Sequence, residues 1–168
     1  MLADAKSALS IGAHGLVFGF LHEDGTIDRE RMGELRKIAG DKAAICHRAF
    51  DATPDPMAAM ETLIEIGMTR ILTGGGRKAA EDGLDQLRAM TVAADGRIEI
   101  MPGGSVRENN ARLIADRVGC SSLHLGPFKK ATDPSALANS EMNFGDHPVL
   151  DPAGARAVVD AIAKAAGS

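Results

Sequence analysis

The sequence contains no tryptophan and no tyrosine, and phenylalanine supplies only five of its 168 residues. Cysteine is scarcer still, because Cys46 and Cys120 are the only two. Two cysteines cannot build a disulfide framework, and their wide separation in the sequence does not match a zinc motif. We therefore expect both to be buried thiols of a protein that works in the reducing cytoplasm.

Long apolar runs and an excess of basic charge are also missing. No stretch of about 20 apolar residues is present, as a transmembrane helix requires, and the N-terminal residues lack the pattern of a signal peptide. Acidic residues outnumber basic ones by 23 to 19, and the single Lys129-Lys130 pair is not a basic patch. This balance predicts no binding to nucleic acid or membrane and favours a small molecule or a metal ion as partner.

A strand followed by a helix repeats along the chain. Short runs rich in Val, Ile, Leu and Phe start about 24 to 28 residues apart, close to the length of one β/α unit. The five strand candidates are GLVFGFL from Gly15, KAAICHRAF from Lys42, TRILT from Thr69, RIEIMP from Arg97 and SSLHLG from Ser121. Residues 126–150 form an irregular polar tail in this interpretation, and a final helix is predicted over residues 151–166.

Helix signals lie between these strands. Asp28 precedes one helical pattern, Asp55-Pro56 opens a second that Gly67 closes, and a third runs over residues 106–118. The second pattern places four apolar side chains on one face, which is typical of a core helix and not of a metal site: Met57, Met60, Leu63 and Ile64.

This repeat predicts one α/β domain over residues 1–168 with a parallel sheet, either an open doubly wound sheet or a (β/α)8 barrel. Polar residues within the strands, and unusual residues in the loops that follow them, favour the barrel. Five parallel strands do not close an eight-stranded barrel, so the barrel is expected to be partial.

The end of the second strand carries the first candidate catalytic residues. His47 and Arg48 must point to opposite faces unless the strand ends between them, and Asp51 follows in the loop. A core histidine, a buried ion pair and a turn aspartate are the structural alternatives for these three. On the fourth and fifth strands, alternation turns Glu99 and His124 inward, where they could converge with His47 or Arg48 for proton transfer or anion binding. A polar layer inside the barrel, whose members satisfy one another, is the structural alternative for this cluster.

Two glycine-rich turns follow the third and fourth strands, each directly before a helix. Free backbone N–H groups and a helix N-terminus at such turns suit a phosphate or carboxylate, although glycine-rich turns also occur for steric reasons. The predicted anion-binding residues are Thr73, Gly74, Gly75, Gly103, Gly104 and Ser105. The pattern is neither a P-loop nor a complete GxGxxG fingerprint, which counts against nucleotide binding.

Four motifs, GLVFGFLHEDGTID, CHRAFDATPDP, AMETLIEIGMTRILTGGG and RIEIMPGGSVRENNARL, resemble the CutC copper homeostasis family. The resemblance implies a cytoplasmic, homodimeric TIM-type (β/α)8 barrel that handles copper. It also implies that this chain matches roughly strands 4 to 8, with the first three β/α units and their copper-associated cysteines absent. Cys46 and His47 then remain as candidate copper ligands, and Ser105 stands where the family commonly has glycine.

Three functions stay open at this point. The first is copper homeostasis with copper as a bound ion, and the second is a TIM-barrel enzyme or binding protein for a phosphate- or carboxylate-bearing small molecule. In the third, the chain is an assembly-dependent module whose open sheet is completed by another chain. The sequence does not decide whether the protein is an enzyme.

Overall fold

The computed structural model describes residues 1–132 and 146–163, which form a parallel four-stranded sheet with helices packed against it. The helices are α1 (Leu2–Ser10), α2 (Arg29–Ala39), α3 (Pro56–Ile66), α4 (Leu84–Ala94), α5 (Glu108–Val118) and α6 (Pro152–Ala163). The strands of the sheet are β1 (Gly15–Phe18), β2 (Ala43–Cys46), β3 (Arg70–Thr73) and β4 (Glu99–Pro102). A separate antiparallel pair consists of β5 (Phe128–Thr132) and β6 (Asp146–Leu150).

The four parallel strands are neighbours in chain order, β1-β2-β3-β4. Each is connected to the next through a helix, so the α/β class and the parallel sheet predicted from the repeat are confirmed. In the register of β3 with β4, Arg70 lies opposite Glu99 and Thr73 lies opposite Pro102. All four strands therefore end at one edge of the sheet, which we call the carboxyl edge.

Local capping residues set the helix boundaries. The side chain of Asp28 accepts a hydrogen bond from the backbone N–H of Arg31 at 3.0 Å, at the start of α2. Asp55 caps α3 in the same way, Pro56 is its first residue, and Gly67 ends it in the left-handed conformation at φ 83°. The predicted starts of α2 and α3 and the predicted end of α3 are confirmed.

The hydrophobic core lies between the sheet and the helices. Met60 and Leu63 of α3 are fully buried there, and Met57 and Ile64 pack against the same cluster, so the predicted apolar stripe of α3 is a core feature. The strands contribute residues of one face, namely Phe18, Ala44, Cys46, Ile71 and Ile100. A strand alternates its faces, so the neighbouring residues of each strand belong to the inner face of the sheet.

Two sequence predictions differ from the structure after α5. The predicted fifth strand is not found as a strand, because residues 121–126 make one parallel bridge, between His124 and Gly103. The prediction of an irregular tail over residues 126–150 is wrong for residues 128–132 and 146–150, which form β5 and β6, and residues 133–145 lie outside the described residues. These strands expose most of their residues, so the alternation of apolar and polar residues that marks a half-buried strand is missing.

The last helix starts at Pro152, as predicted, and its predicted end at residue 166 lies outside the described residues. Within residues 1–132 and 146–163, no helix is long and apolar enough to cross a membrane.

Candidate functional site

The carboxyl edge brings together segments that are far apart in the sequence. β2 ends at Cys46 and runs into a 3-10 turn over Arg48–Ala52. We call residues 73–76, which begin with the last residue of β3, the first glycine turn, and residues 103–105, which follow β4, the second glycine turn. The two turns are adjacent because the backbone N–H of Gly103 donates to the carbonyl of Thr73 at 2.9 Å.

Arg48 lies between the two glycine turns. Its Nε donates to Oδ2 of Asp51 at 2.7 Å, its Nη1 to the carbonyl of Lys78 at 2.9 Å, and its Nη2 to the carbonyl of Arg77. A Cβ atom on Gly74 would lie 2.7 Å from Nη2, and one on Gly104 would lie 2.5 Å from Nη1. The guanidinium group therefore occupies space that side chains would need at both turns.

The carboxylate of Asp51 fills the first glycine turn. Its Oδ1 accepts hydrogen bonds from Thr73 Oγ1 at 2.5 Å, from the N–H of Gly76 at 3.0 Å and from the N–H of Gly74 at 3.1 Å. The N–H of Gly75 donates to Thr73 Oγ1 at 2.9 Å. Within the first glycine turn, the predicted anion-binding residues Thr73 and Gly74 thus donate to the protein's own carboxylate, and the N–H of Gly75 is taken by Thr73.

The second glycine turn has an unusual backbone. Gly104 has φ 117° and Ser105 has φ 53°, so a serine occupies the left-handed region that favours glycine. Asn110 of α5 holds this conformation, because its Nδ2 donates to the Ser105 carbonyl at 3.1 Å and to Glu81 Oε2 at 3.0 Å. The Ser105 hydroxyl is exposed and makes no hydrogen bond to any part of the chain that the structure describes.

Both candidate histidines lie at the carboxyl edge. His47 caps the 3-10 turn, and its Nδ1 accepts from the N–H of Ala49 at 3.2 Å, which assigns the ring proton to Nε2. His124 is exposed, and its Cβ would lie 3.2 Å from a Cβ on Gly103. His124 is therefore beside the second glycine turn, on the inner face expected for it.

Glu99 lies apart from these residues. It is at the other end of β4, three residues before Pro102 and so about 10 Å from the carboxyl edge. Its Oε2 accepts from Arg70 Nε at 2.6 Å, and a serine hydroxyl, that of Ser122, donates to its Oε1. Burial opposes ionisation, but these hydrogen bonds together lower the pKa of Glu99. The expected convergence of Glu99 with His124 is not found, because Glu99 already has partners where its strand begins.

Cys46 points into the core, where its Sγ donates to the backbone carbonyl of His47 at 3.6 Å. Its side chain is fully buried, and burial, together with the negative charge of Asp51, raises the pKa of its thiol to about 12. The other cysteine, Cys120, is half-buried, and burial raises the pKa of its thiol too. Among residues 1–132 and 146–163, no three His, Cys, Asp or Glu side chains are grouped so that they could hold a metal ion.

The sequence of this chain matches the model of the CutC family over residues 1–129. The chain belongs to the CutC family. It is 45% identical over 145 residues to a CutC family protein of Treponema denticola, covering 86% of this chain and 59% of that protein. It is 39% identical over 145 residues to the human copper homeostasis protein cutC homolog, covering 86% of this chain and 53% of the human protein. The resemblance noted from the motifs is confirmed.

Solved structures support the same assignment. The CutC structure from Streptococcus agalactiae matches with a TM-score of 0.70 and 29% identity, over 73% of this chain and 60% of that one. A structure described as native KDPGal matches with a TM-score of 0.62 over 100% of this chain and 67% of that one, but at 15% identity it shows the fold alone. The chain of this CutC member spans just over half the length of the curated relatives it matches.

Sequence reasoning missed the residues that hold the turns in place. The carbonyls of Arg77 and Lys78 bind Arg48, and backbone carbonyls carry no signal in a sequence. Asn110 had a signal, because it is three residues after Arg107, and its Oδ1 accepts from the Arg107 N–H at 2.8 Å as in a capping box.

Proposed function

We propose that this CutC protein takes part in copper homeostasis in the cytoplasm. Membership of the family supports the role, since the human and mouse relatives are named copper homeostasis proteins. The two cysteines are free thiols, which agrees with a reducing compartment. Because the chain spans just over half of its relatives, their activity is carried over to it as a proposal.

We further propose that the carboxyl edge binds a small molecule through a phosphate or carboxylate group. The observation that carries this proposal is the position of Arg48. A guanidinium group has five N–H donors, and three of them bind Asp51, Lys78 and Arg77, which leaves two. The Arg48 side chain is 35% exposed, and its Nη1 lies beside Gly104, so the remaining N–H group of Nη1 can donate to an anion there.

The charges around the second glycine turn support an anionic ligand. Lys78 is next to Gly104, since its carbonyl would lie 2.5 Å from a Cβ there, and Arg107 follows Ser105 by two residues. Arg77, Lys78 and Arg107 all have exposed side chains. The negative charge of Asp51 is balanced by its ion pair with Arg48. Basic side chains at the edge of a cleft raise the local concentration of an anion.

A copper ion held by Cys46 and His47 has less support from this geometry. Copper(I) prefers soft thiolate or thioether ligands, and the Cys46 thiol is both protonated at neutral pH and shielded by the core. The first prediction therefore concerns copper(I), and the prediction after it concerns inorganic phosphate. In reduced protein, Cys46→Ala should leave the stoichiometry of copper(I) uptake unchanged in a titration against a competing chelator.

Inorganic phosphate should instead stabilise the protein. At about 100 times its Kd, a ligand stabilises by about 2.7 kcal/mol, which corresponds to a rise of roughly 5–10 °C in Tm for a chain of this size. Chloride at equal ionic strength is the control for a general salt effect. One-to-one copper(I) binding that is lost in Cys46→Ala, with no effect of phosphate, would contradict the anion site and favour the copper site.

We also propose that the chain is a homodimer in solution, and that the free edge of β1 takes part. Among the described strands, β1 is the first of the sheet and pairs with β2 alone. Val17 lies on the inner face of β1, beside this free edge, and is 60% exposed. Unpaired strand edges are ready to associate with another chain. Val17→Lys should shift the sedimentation coefficient from dimer to monomer. Val92→Lys on α4, where the valine is 61% exposed, should leave the dimer intact. A monomeric wild-type protein would refute the proposal.

A further inference from the structure

Two neighbouring glycine turns at one sheet edge could each bind an anionic group, but here the carboxylate of Asp51 occupies the first turn. Asp51 accepts hydrogen bonds from Thr73, Gly74 and Gly76 and an ion pair from Arg48, and its side chain is only 12% exposed. The carboxylate therefore occupies the position that a ligand's anionic group would take among the N–H groups of the first turn.

Arg48 links this filled turn to the second one. Its Nη2 lies against Gly74 and its Nη1 against Gly104, so the two turns face opposite sides of a single guanidinium group. An anionic group bound at the second turn would share Arg48 with Asp51. A second external charge beside it would meet the Asp51 carboxylate instead of free N–H groups, and like charges at this distance repel.

We propose that Asp51 is a specificity-determining residue, an internal anion that restricts the carboxyl edge to ligands with one phosphate or carboxylate group and excludes pyrophosphate-like groups. Asp51 acts by occupying the N–H groups of the first glycine turn and by pairing its negative charge with Arg48. This inference rests on the proposed ligand site, whose ligand class it narrows.

The test compares inorganic phosphate with pyrophosphate by calorimetric titration of the whole chain. Wild-type protein should bind phosphate at least as tightly as pyrophosphate. In Asp51→Ala, the N–H groups of Gly74 and Gly76 become available, and the ratio of pyrophosphate to phosphate affinity should rise about tenfold or more. Asp51→Asn, which keeps the shape and removes the charge, should change the ratio in the same direction by less.

A second arm does not depend on the ligand site. Formate carries the carboxylate that Asp51→Ala lacks, so, relative to chloride, it should raise the Tm of Asp51→Ala by more than it raises that of the wild type, in which the first glycine turn is already filled. Asp55→Ala is the matched control, because Asp55 also accepts two backbone N–H bonds at 3.0 Å but at the exposed start of α3. Formate should not restore its Tm, and its preference for phosphate should stay that of the wild type.

The outcomes separate the two proposals. If the wild type binds neither anion but formate stabilises Asp51→Ala, the ligand site is refuted, and Asp51 is an internal anion without a ligand to select, which overturns the specificity role. If the wild type binds pyrophosphate more tightly than phosphate, the ligand site stands and the inference is wrong. If Asp51→Ala does not fold even in formate, Asp51→Asn decides, and an unchanged affinity ratio in it overturns the inference.

Discussion

Replacing Gly104 by alanine is expected to abolish phosphate binding and to lower the free energy of unfolding by about 2–6 kcal/mol. Two effects add. At φ 117° an alanine is strained, which costs about 1–3 kcal/mol, and its Cβ would lie 2.5 Å from both Arg48 Nη1 and the Lys78 carbonyl, where overpacking costs about 1–3 kcal/mol more. Because Arg48 must move, the Nη1 N–H group proposed to hold the anion loses its position.

Gly12 offers a matched control for this change. It has φ 101°, and a Cβ there would meet no atom within 4 Å. Gly12→Ala should therefore show the backbone strain alone, with phosphate binding intact. Chemical unfolding gives the two free energies, and titration calorimetry gives the two affinities. Equal phosphate affinity in Gly104→Ala and the wild type would show that the ligand does not use the second glycine turn.

The second large effect is expected at Phe50. Its side chain is 1% exposed and belongs to the 3-10 turn that carries Arg48 and Asp51. Phe50→Ala removes a buried aromatic ring and leaves a cavity, which costs about 3–5 kcal/mol. For a chain of this size the Tm should fall by roughly 10 °C, as measured by thermal unfolding. Because the ring anchors the turn, phosphate binding should weaken as well.

Phe128→Ala is the matched control, because it removes an aromatic ring without removing core packing. It is 60% exposed on β5, so Phe128→Ala should change the stability by less than about 0.5 kcal/mol. A Tm loss in Phe50→Ala as small as that in Phe128→Ala would contradict the buried position of Phe50. Normal phosphate affinity in a destabilised Phe50→Ala would mean that the 3-10 turn keeps Arg48 in place without the ring.

Much of the fold could be predicted because its signals are local. Aspartates at helix starts and glycine at a helix end act on N–H and carbonyl groups within a few residues, so Asp28, Asp55 and Gly67 mark their helices in the sequence itself. The apolar stripe of α3 is equally local. The exposed strands β5 and β6 lack such a pattern, and their pairing joins residues such as Thr132 and Asp146 that are far apart along the chain.

The sequence predicts where the candidate site lies, but not which of its residues bind one another. The strand-to-helix order places His47, Arg48 and both glycine turns at one edge in any parallel sheet. Face alternation also places His124 at the inner face. Alternation could not predict that Glu99 lies apart from them, because it gives the face of a residue and not its position along the strand. Glu99 is at the start of β4, where Arg70 and Ser122 donate hydrogen bonds to it.

The sequence by itself determined the family, the alternation of strands and helices, and the position of His47, Arg48 and the two glycine turns at the carboxyl edge. The tertiary structure decided what those residues do for one another. Asp51 and Thr73 are 22 residues apart, and nothing local tells whether the N–H groups of a glycine turn will meet a ligand or a carboxylate of the same chain. That choice depends on side-chain positions set by packing between separate segments, which is why the sequence predicts only a turn residue or a catalytic candidate at Asp51.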